Sequence, residues 1–460
     1  MEDLDKSNVE TTPPEPAAPP PEEAANRSAL FIVFLVVVID LLGFAIVLPI
    51  LPRYGKLFMP GGEANPWTEA VLGMIMASYS AMQFVFMPIW GRLSDRVGRR
   101  PILLMGLASS VIFYVLFGVA SDMGNQETAS AEGAVGALIL ILVARLGAGI
   151  AGATIGTAQA AIADSTSQQG RARGMALIGA AFGIGFFLGP ILGAGARLIF
   201  EHSLGAPGYL AAGLSAIALI LGLRYLPETR REGSPQGRRH WLNLEGWRLA
   251  LDTPAVPGLI LVFFLSTFAF GNFEATMSVL TQVPGLALQD AANFLIFSYI
   301  GFVLALAQGV LYRRLAKRVP ELTFMFSGCI LMMLGLAGIG AIAYLASQAE
   351  TRQPALVVAL LTILVVAITG FAFMVPSVQA LVSRLSDPAR QGEILGINQS
   401  MNAIARILGP AIGLPLFRPG HHVLPYIFGT LLLAISLMLT WRLSRLDVLG
   451  HLGKEGPHAA

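Results

Sequence analysis

Twelve apolar segments, each near the ~20 residues that a helix needs to cross a hydrocarbon core, constrain this chain more than any other feature. They fall at 30–51, 70–90, 101–120, 134–156, 175–200, 209–225, 256–280, 291–312, 322–346, 355–382, 394–417 and 423–441. A soluble globular domain carries about 25% charged residues, whereas this chain of 460 residues is 13% charged and 55% hydrophobic. Most of its surface must face something other than water, so the expected fold is an all-α membrane protein of twelve transmembrane helices. Its 50 glycines suit helices that pack closely through small residues.

The longest polar connection, Pro227–Thr253, divides the spans six and six. The expected organisation is a disordered tail over 1–28, a six-helix bundle over 29–226, a linker over 227–254, a second six-helix bundle over 255–442 and a C-terminal tail over 443–460. The first tail is rich in Pro, Ala and Glu and lacks the apolar stretch of a signal peptide. With the N-terminus inside, the inside connections hold 23 Lys and Arg and the outside connections 5. That asymmetry places both termini and the linker in the cytoplasm of a multi-pass protein of the cell (inner) membrane. Three dipeptides recur in order at offsets of 220 to 222: Gln159-Ala160 with Gln379-Ala380, Gln169-Gly170 with Gln391-Gly392, and Gly189-Pro190 with Gly409-Pro410. They point to a duplicated six-helix unit, a plan that secondary transporters use with a site between the repeats.

Between the second and third spans runs Gly91-Arg92-Leu93-Ser94-Asp95-Arg96-Val97-Gly98-Arg99-Arg100. A membrane anchor explains its arginines, but not Asp95 or the glycines, which suit a tight turn and close helix approach. This segment resembles the signature loop of the major facilitator superfamily, with Gly91, Leu93, Asp95, Arg96, Gly98, Arg99 and Arg100 matching. The resemblance implies an inter-half latch on the cytoplasmic side, carried by Asp95 and Arg99, with Asp164 as a partner of the cluster. Leu142 to Gly149, around Arg145, is similar to the superfamily's arginine-containing motif. Gly185, Gly189-Pro190 and Gly193 recur every four residues on one helix face and resemble the fifth-span motif of antiporters. The first span, from Asp40 through Gly43 to Pro49 and Pro52, resembles the start of tetracycline-type drug efflux proteins, and that similarity extends over most of the chain.

Four ionisable residues lie deep in spans, Asp40, Arg145, Glu274 and Arg406, where a charge is costly unless paired or in a wet cavity. Their charges cancel, and the expected pairs are Asp40 with Arg145 and Glu274 with Arg406. Two readings of Arg145 stay open, a cavity-facing functional residue and a buried structural pair. Neither arginine is duplicated at the repeat offset, since Val365 and Phe186 stand there. Asn398, Asn402 and Arg406 share one helix face, as do Glu274, Ser278 and Gln282. These stripes either line the cavity between the halves or join helices to one another.

Other chemistry finds little support. A net charge of +2 gives no field for nucleic acid, and the single cysteine, Cys329, allows no intramolecular disulfide. All six histidines lie in connections or the tail without metal-ligand spacing. The chain has no phosphate-binding loop to drive ATP-powered transport and no nucleophile–base arrangement of an enzyme. The expected protein is a monomeric secondary transporter without cofactor, exchanging a small lipophilic or amphipathic organic compound for protons across the bilayer. Asp40 and Glu274 are the candidate proton carriers and Arg145 and Arg406 their tuning partners. A symporter or facilitator on the same scaffold, or a non-transporting receptor, remain alternatives.

Overall fold

The long apolar runs become helices, because a segment in hydrocarbon must satisfy its own backbone groups. The computed structural model describes residues 21–60, 62, 65, 67–124, 131–166, 171–230, 244–316, 318–386 and 391–445. The first half of the chain forms α1 (Pro21–Val47), α2 (Leu51–Phe58), α3 (Thr68–Val97), α4 (Arg99–Met123), α5 (Ala131–Gly152), α6 (Ile155–Asp164), α7 (Arg171–Ile199) and α8 (Ala206–Tyr225). After α9 (Leu244–Asp252), the second half forms α10 (Val256–Leu280) and α11 (Asp290–Leu306). The latter continues through a π-helical turn, Ala307–Tyr312, into α12 (Arg313–Leu315). Then come α13 (Glu321–Gln348), α14 (Pro354–Leu385), α15 (Gln391–Leu416) and α16 (Leu424–Ser444). Helices α8, α10, α14 and α16 each carry a proline in the first turn, where the missing N–H has no helical partner to lose.

Among the described residues, eleven stretches are long and apolar enough to cross a membrane. They match the expected spans except the eleventh. Helix α15 has 26 residues, about 39 Å at ~1.5 Å per residue, but Asn398, Gln399, Asn402 and Arg406 lower its hydropathy. It is nonetheless packed between α3 and α10, sheltered by neighbours rather than by lipid.

Three boundaries differ from expectation. Helix α1 starts at Pro21, inside the stretch expected to be a disordered tail, because Pro21 followed by Glu22, Glu23 and two alanines is a favourable helix start. The rest of that tail (1–20), the linker residues 231–243 and the C-terminal residues 446–460 lie outside the described residues. The first span continues past Pro49 as α2. The signature segment is mostly helix rather than loop, since α3 runs through Val97 and α4 opens at Arg99. Gly98 alone makes the turn, with φ of 113°, a conformation that a side chain disfavours. Gly91, by contrast, sits in α3 with open space where a Cβ would be, so it mediates no close approach.

Within the first half α1 packs on α7 and α8, and α4 on α5 and α8; within the second, α10 packs on α15 and α16, and α13 on α14 and α16. The pairings recur in the same order. The halves meet along two long seams, α3 with α15 and α7 with α11. Small residues let these backbones approach. A methyl at Gly73 would lie 2.7 Å from the Pro410 carbonyl oxygen, and one at Gly301 2.5 Å from that of Phe186.

Candidate functional site

A small cavity of about 30 Å³ lies between the halves. Phe44, Leu48, Met76, Tyr79, Ser80 and Arg145 line it from the first half, and Gly271, Glu274, Ala275, Arg406 and Pro410 from the second. Three of the four ionisable residues picked out in the spans thus meet at one place. In this conformation the space suits a water molecule rather than an organic solute, so a larger ligand requires the halves to separate.

Arg145 projects from α5 and is only 2% exposed. Its guanidinium carbon lies 4.6 Å from the centre of the Tyr79 ring and 5.9 Å from that of Phe44, a cation–π arrangement. Its Nε and one terminal nitrogen find no hydrogen-bond acceptor. The expected pairing with Asp40 is therefore not made. Asp40, one turn before Phe44 on α1, faces α4 instead and accepts a 3.1 Å hydrogen bond from Ser110 Oγ. Asp40 and Phe44 share a face of α1, but Asp40 stands a turn earlier along it, beside Ser110, while the Phe44 and Tyr79 rings meet the arginine. Glu274 and Arg406 share the cavity from α10 and α15, but no ion pair within 4 Å joins them among the described residues.

The polar stripes divide. Asn398 is completely buried and neither atom of its amide has a partner. The Asn402 amide donates to Gln399 Oε1 at 3.4 Å. Neither lines the cavity. Ser278 does not line it either: it is fully buried and donates to the Pro49 carbonyl at 2.6 Å, closing the seam between halves. Gln282 lies beyond the end of α10, in the turn toward α11, away from the cavity. A stripe of side chains 6 Å apart per turn outruns so small a space.

The antiporter-type glycines pack as their spacing suggests. Gly185 and Gly189 admit Leu41 and Ala45 of α1, and Gly193 faces the Phe294 ring of α11 across the seam. Pro190 sits within α7, where it has no N–H to give the helix.

The signature cluster closes on its own half. Arg99 pairs with Asp95 at 2.6 Å and Asp164 at 3.0 Å, and also donates to Ser94 Oγ. The α4 N-terminus is capped by Glu228, which accepts the backbone N–H of Arg99 and Arg100 at 2.8 and 3.2 Å. Arg100 reaches the Leu223 carbonyl, and Arg96 is exposed. Each of these partners belongs to the first half or to the start of the linker, so among the described residues no contact of the cross-half latch implied by the resemblance is made. Glu228 is not among the residues that the sequence singles out; an acid three residues after the end of α8, next to Arg230 and Arg231, is the available signal.

Cross-half polar contacts gather at the opposite end. Arg53 of α2 donates to Asp290 Oδ1 at 2.6 Å, to the Leu288 carbonyl at 2.7 Å and to Thr281 Oγ1 at 3.1 Å. Arg197 approaches the other oxygen of Asp290 at 3.6 Å. Asn293 and Ser278 both donate to the Pro49 carbonyl. Arg53 is one of the five Lys and Arg of the outside connections; its place within the apolar run Leu48–Tyr54 is the sign that it is buried.

The family model of the Major Facilitator Superfamily matches residues 33–410. The chain is 29% identical over 422 residues to the class D tetracycline resistance protein of Salmonella ordonez, covering 89% of this chain and 96% of the relative. It is 28% identical over 442 residues to the major facilitator superfamily domain-containing protein 10 of Bos taurus, covering 83% and 85%. Among solved structures, the human organic anion transporter MFSD10 (TETRAN) aligns with a TM-score of 0.61 and 24% identity, over 92% of this chain and all of that one. A D-xylose–proton symporter aligns with a TM-score of 0.69 and 15% identity, over 91% and 97%. At these identities the structural likenesses speak to fold alone.

Proposed function

This chain belongs to the major facilitator superfamily, a superfamily of membrane transporters, and we propose that it expels a small lipophilic or amphipathic organic compound in exchange for inward-moving protons. The observation that carries this reading is the meeting of Glu274 with Arg145 and Arg406 in one cavity lined by both halves. A carboxyl there feels burial and neighbouring cations in opposite senses, so modest movements of the halves change its hold on a proton. Glu274 is the proton carrier; a basic or hydrogen-donating group of the substrate takes the carboxylate and expels the proton. Phe44, Leu48 and Met76 offer the apolar body of the substrate a surface, and the unpartnered donors of Arg145 offer an acceptor group a contact. Asp40, held by Ser110 outside the cavity, is a second protonation site on the same helix as Phe44. Asn398 and Asn402, with Gln282 at the far end of the other stripe, become cavity lining when the halves part.

The tetracycline resistance relatives and the antiporter-type glycines support export rather than uptake. The twelve spans form two six-helix repeats, a reading supported by the recurrent pairings α1–α7 and α10–α15, and α4–α8 and α13–α16. Lys and Arg asymmetry puts the signature end and both termini in the cytoplasm. The protein works as a monomer, each half supplying one wall of the site. Proteoliposomes loaded with candidate compounds under an imposed pH gradient test the proposal. Uphill accumulation on the acidic side supports antiport. Accumulation on the other side, together with protons, would make it a symporter, and no flux of any compound would favour a receptor.

A further inference from the structure

We propose that Asp290, gripped by Arg53 and Arg197, is the ionic gate of the end opposite the signature segment, and that breaking it is a required step of transport; this rests on the reading above of a transporter whose halves part around the cavity. Arg53 is 7% exposed, and all three of its acceptors belong to the other half. Arg197, in the last turn of α7, adds a second cation to the same carboxylate. One acid of the second half thus answers two arginines of the first. At the signature end, by contrast, Asp95, Asp164 and Glu228 are all satisfied within the first half. Among the described residues, the asymmetry ties the gate end across the halves and puts no such tie at the signature end.

The choice of residues favours a gate over a static clip. Buried ion pairs are often replaceable by apolar residues without loss of stability, so a seam needing only to stay closed gains little from Arg53, Asp290, Thr281 and Asn293. A seam that must also open to water gains a great deal, because the same groups are hydrated once separated. In the closed state Asp290 answers both arginines, and in the open state water takes its place.

The test uses a Cys329→Ser background with Ser80→Cys, which places a thiol in the wall of the cavity. Labelling by a membrane-impermeant maleimide is timed from each face of the membrane. Trp67→Cys, 70% exposed near the gate end, and Arg92→Cys, exposed at the signature end, report which face each end occupies. With the gate intact the Ser80→Cys thiol reacts mainly from the signature end. Asp290→Asn and Arg53→Gln should each raise the gate-end rate by at least ~5-fold, the lower range of coupling between linked states, while Asp290→Glu keeps a rate near that of the parent. If Asp290→Asn and Arg53→Gln do not assemble, Thr281→Val, which removes one of the Arg53 acceptors together with the hydroxyl's contacts to Ser278 and Asn293, should raise the same rate by ~2-fold or more. Well-folded variants with an unchanged gate-end rate would overturn the gate. If in addition the thiol is reached from one face only, whatever pH gradient is imposed, alternating access itself fails; if the gradient switches the face, only the gate does.

Discussion

The guanidinium carbon of Arg145 lies 4.6 Å from the centre of the Tyr79 ring, and among the described residues no carboxylate pairs with it. An aromatic face, not an acid, holds this buried charge beside the cavity, leaving donor nitrogens free for a ligand. Tyr79→Phe keeps the ring and should bind substrate like the parent protein. Tyr79→Ala removes the ring and should weaken binding by about 5- to 30-fold, the equivalent of ~1–2 kcal/mol. Ligand titration of purified protein, with thermal unfolding as a control, separates the two. Equal losses in both variants would assign the role to the hydroxyl instead.

The glycine face of α7 makes a prediction about packing. A methyl at Gly189 would lie 2.7 Å from the Ala45 Cβ, whereas one at Gly195 meets nothing within 4 Å. Gly189→Ala should therefore cost about 1–3 kcal/mol from overpacking and lower the unfolding temperature, and Gly195→Ala should be neutral. Equal unfolding temperatures would mean that α1 and α7 are free to shift apart.

The signature cluster should respond unevenly. Asp95 and Asp164 both hold Arg99, but Asp95 is the more exposed, 46% against 23%. Solvent screens exposed pairs to ~1 kcal/mol or less, so Asp164→Asn should slow transport more than Asp95→Asn, with normal expression in both. Initial rates in vesicles at matched protein density check the order. Rates equal to the parent in both would reduce the cluster to an anchor.

The proposed topology predicts that Cys329, fully buried against Met374 and Ser436, resists impermeant thiol reagents. Ser130→Cys should label from outside and Ser234→Cys from the cytoplasm only; both positions lie outside the described residues. Labelling of Ser234→Cys from outside would reverse the orientation argued from Lys and Arg.

The spans and the glycine face were legible in the sequence because hydropathy and four-residue spacing are local properties. Helix α15 was legible too, although its polar stripe makes it too weakly apolar to stand as a span by hydropathy alone. The partner of Asp40 was not, since the turn of α1 that points it at Ser110 rather than Arg145 depends on how α1 seats against α4. Arg53 and Asp290 were hidden for a different reason. They are 237 residues apart, and no local pattern links a short helix after one span to the start of another. The closure of the signature cluster on its own half also escaped the motif, because a motif records which residues are present and not which conformation they occupy.

The most direct test of the account is substrate-induced proton release from the detergent-purified protein, compared with that of Glu274→Gln. Because no ion pair within 4 Å joins Glu274 to Arg406 among the described residues, the substitution removes a titrating group without breaking such a pair, and substrate binding should persist. The parent protein should release protons into weakly buffered solution on adding substrate, and Glu274→Gln should bind the same substrate and release none. If the variant releases as many protons per bound substrate as the parent, Glu274 is not the carrier and the central claim is wrong.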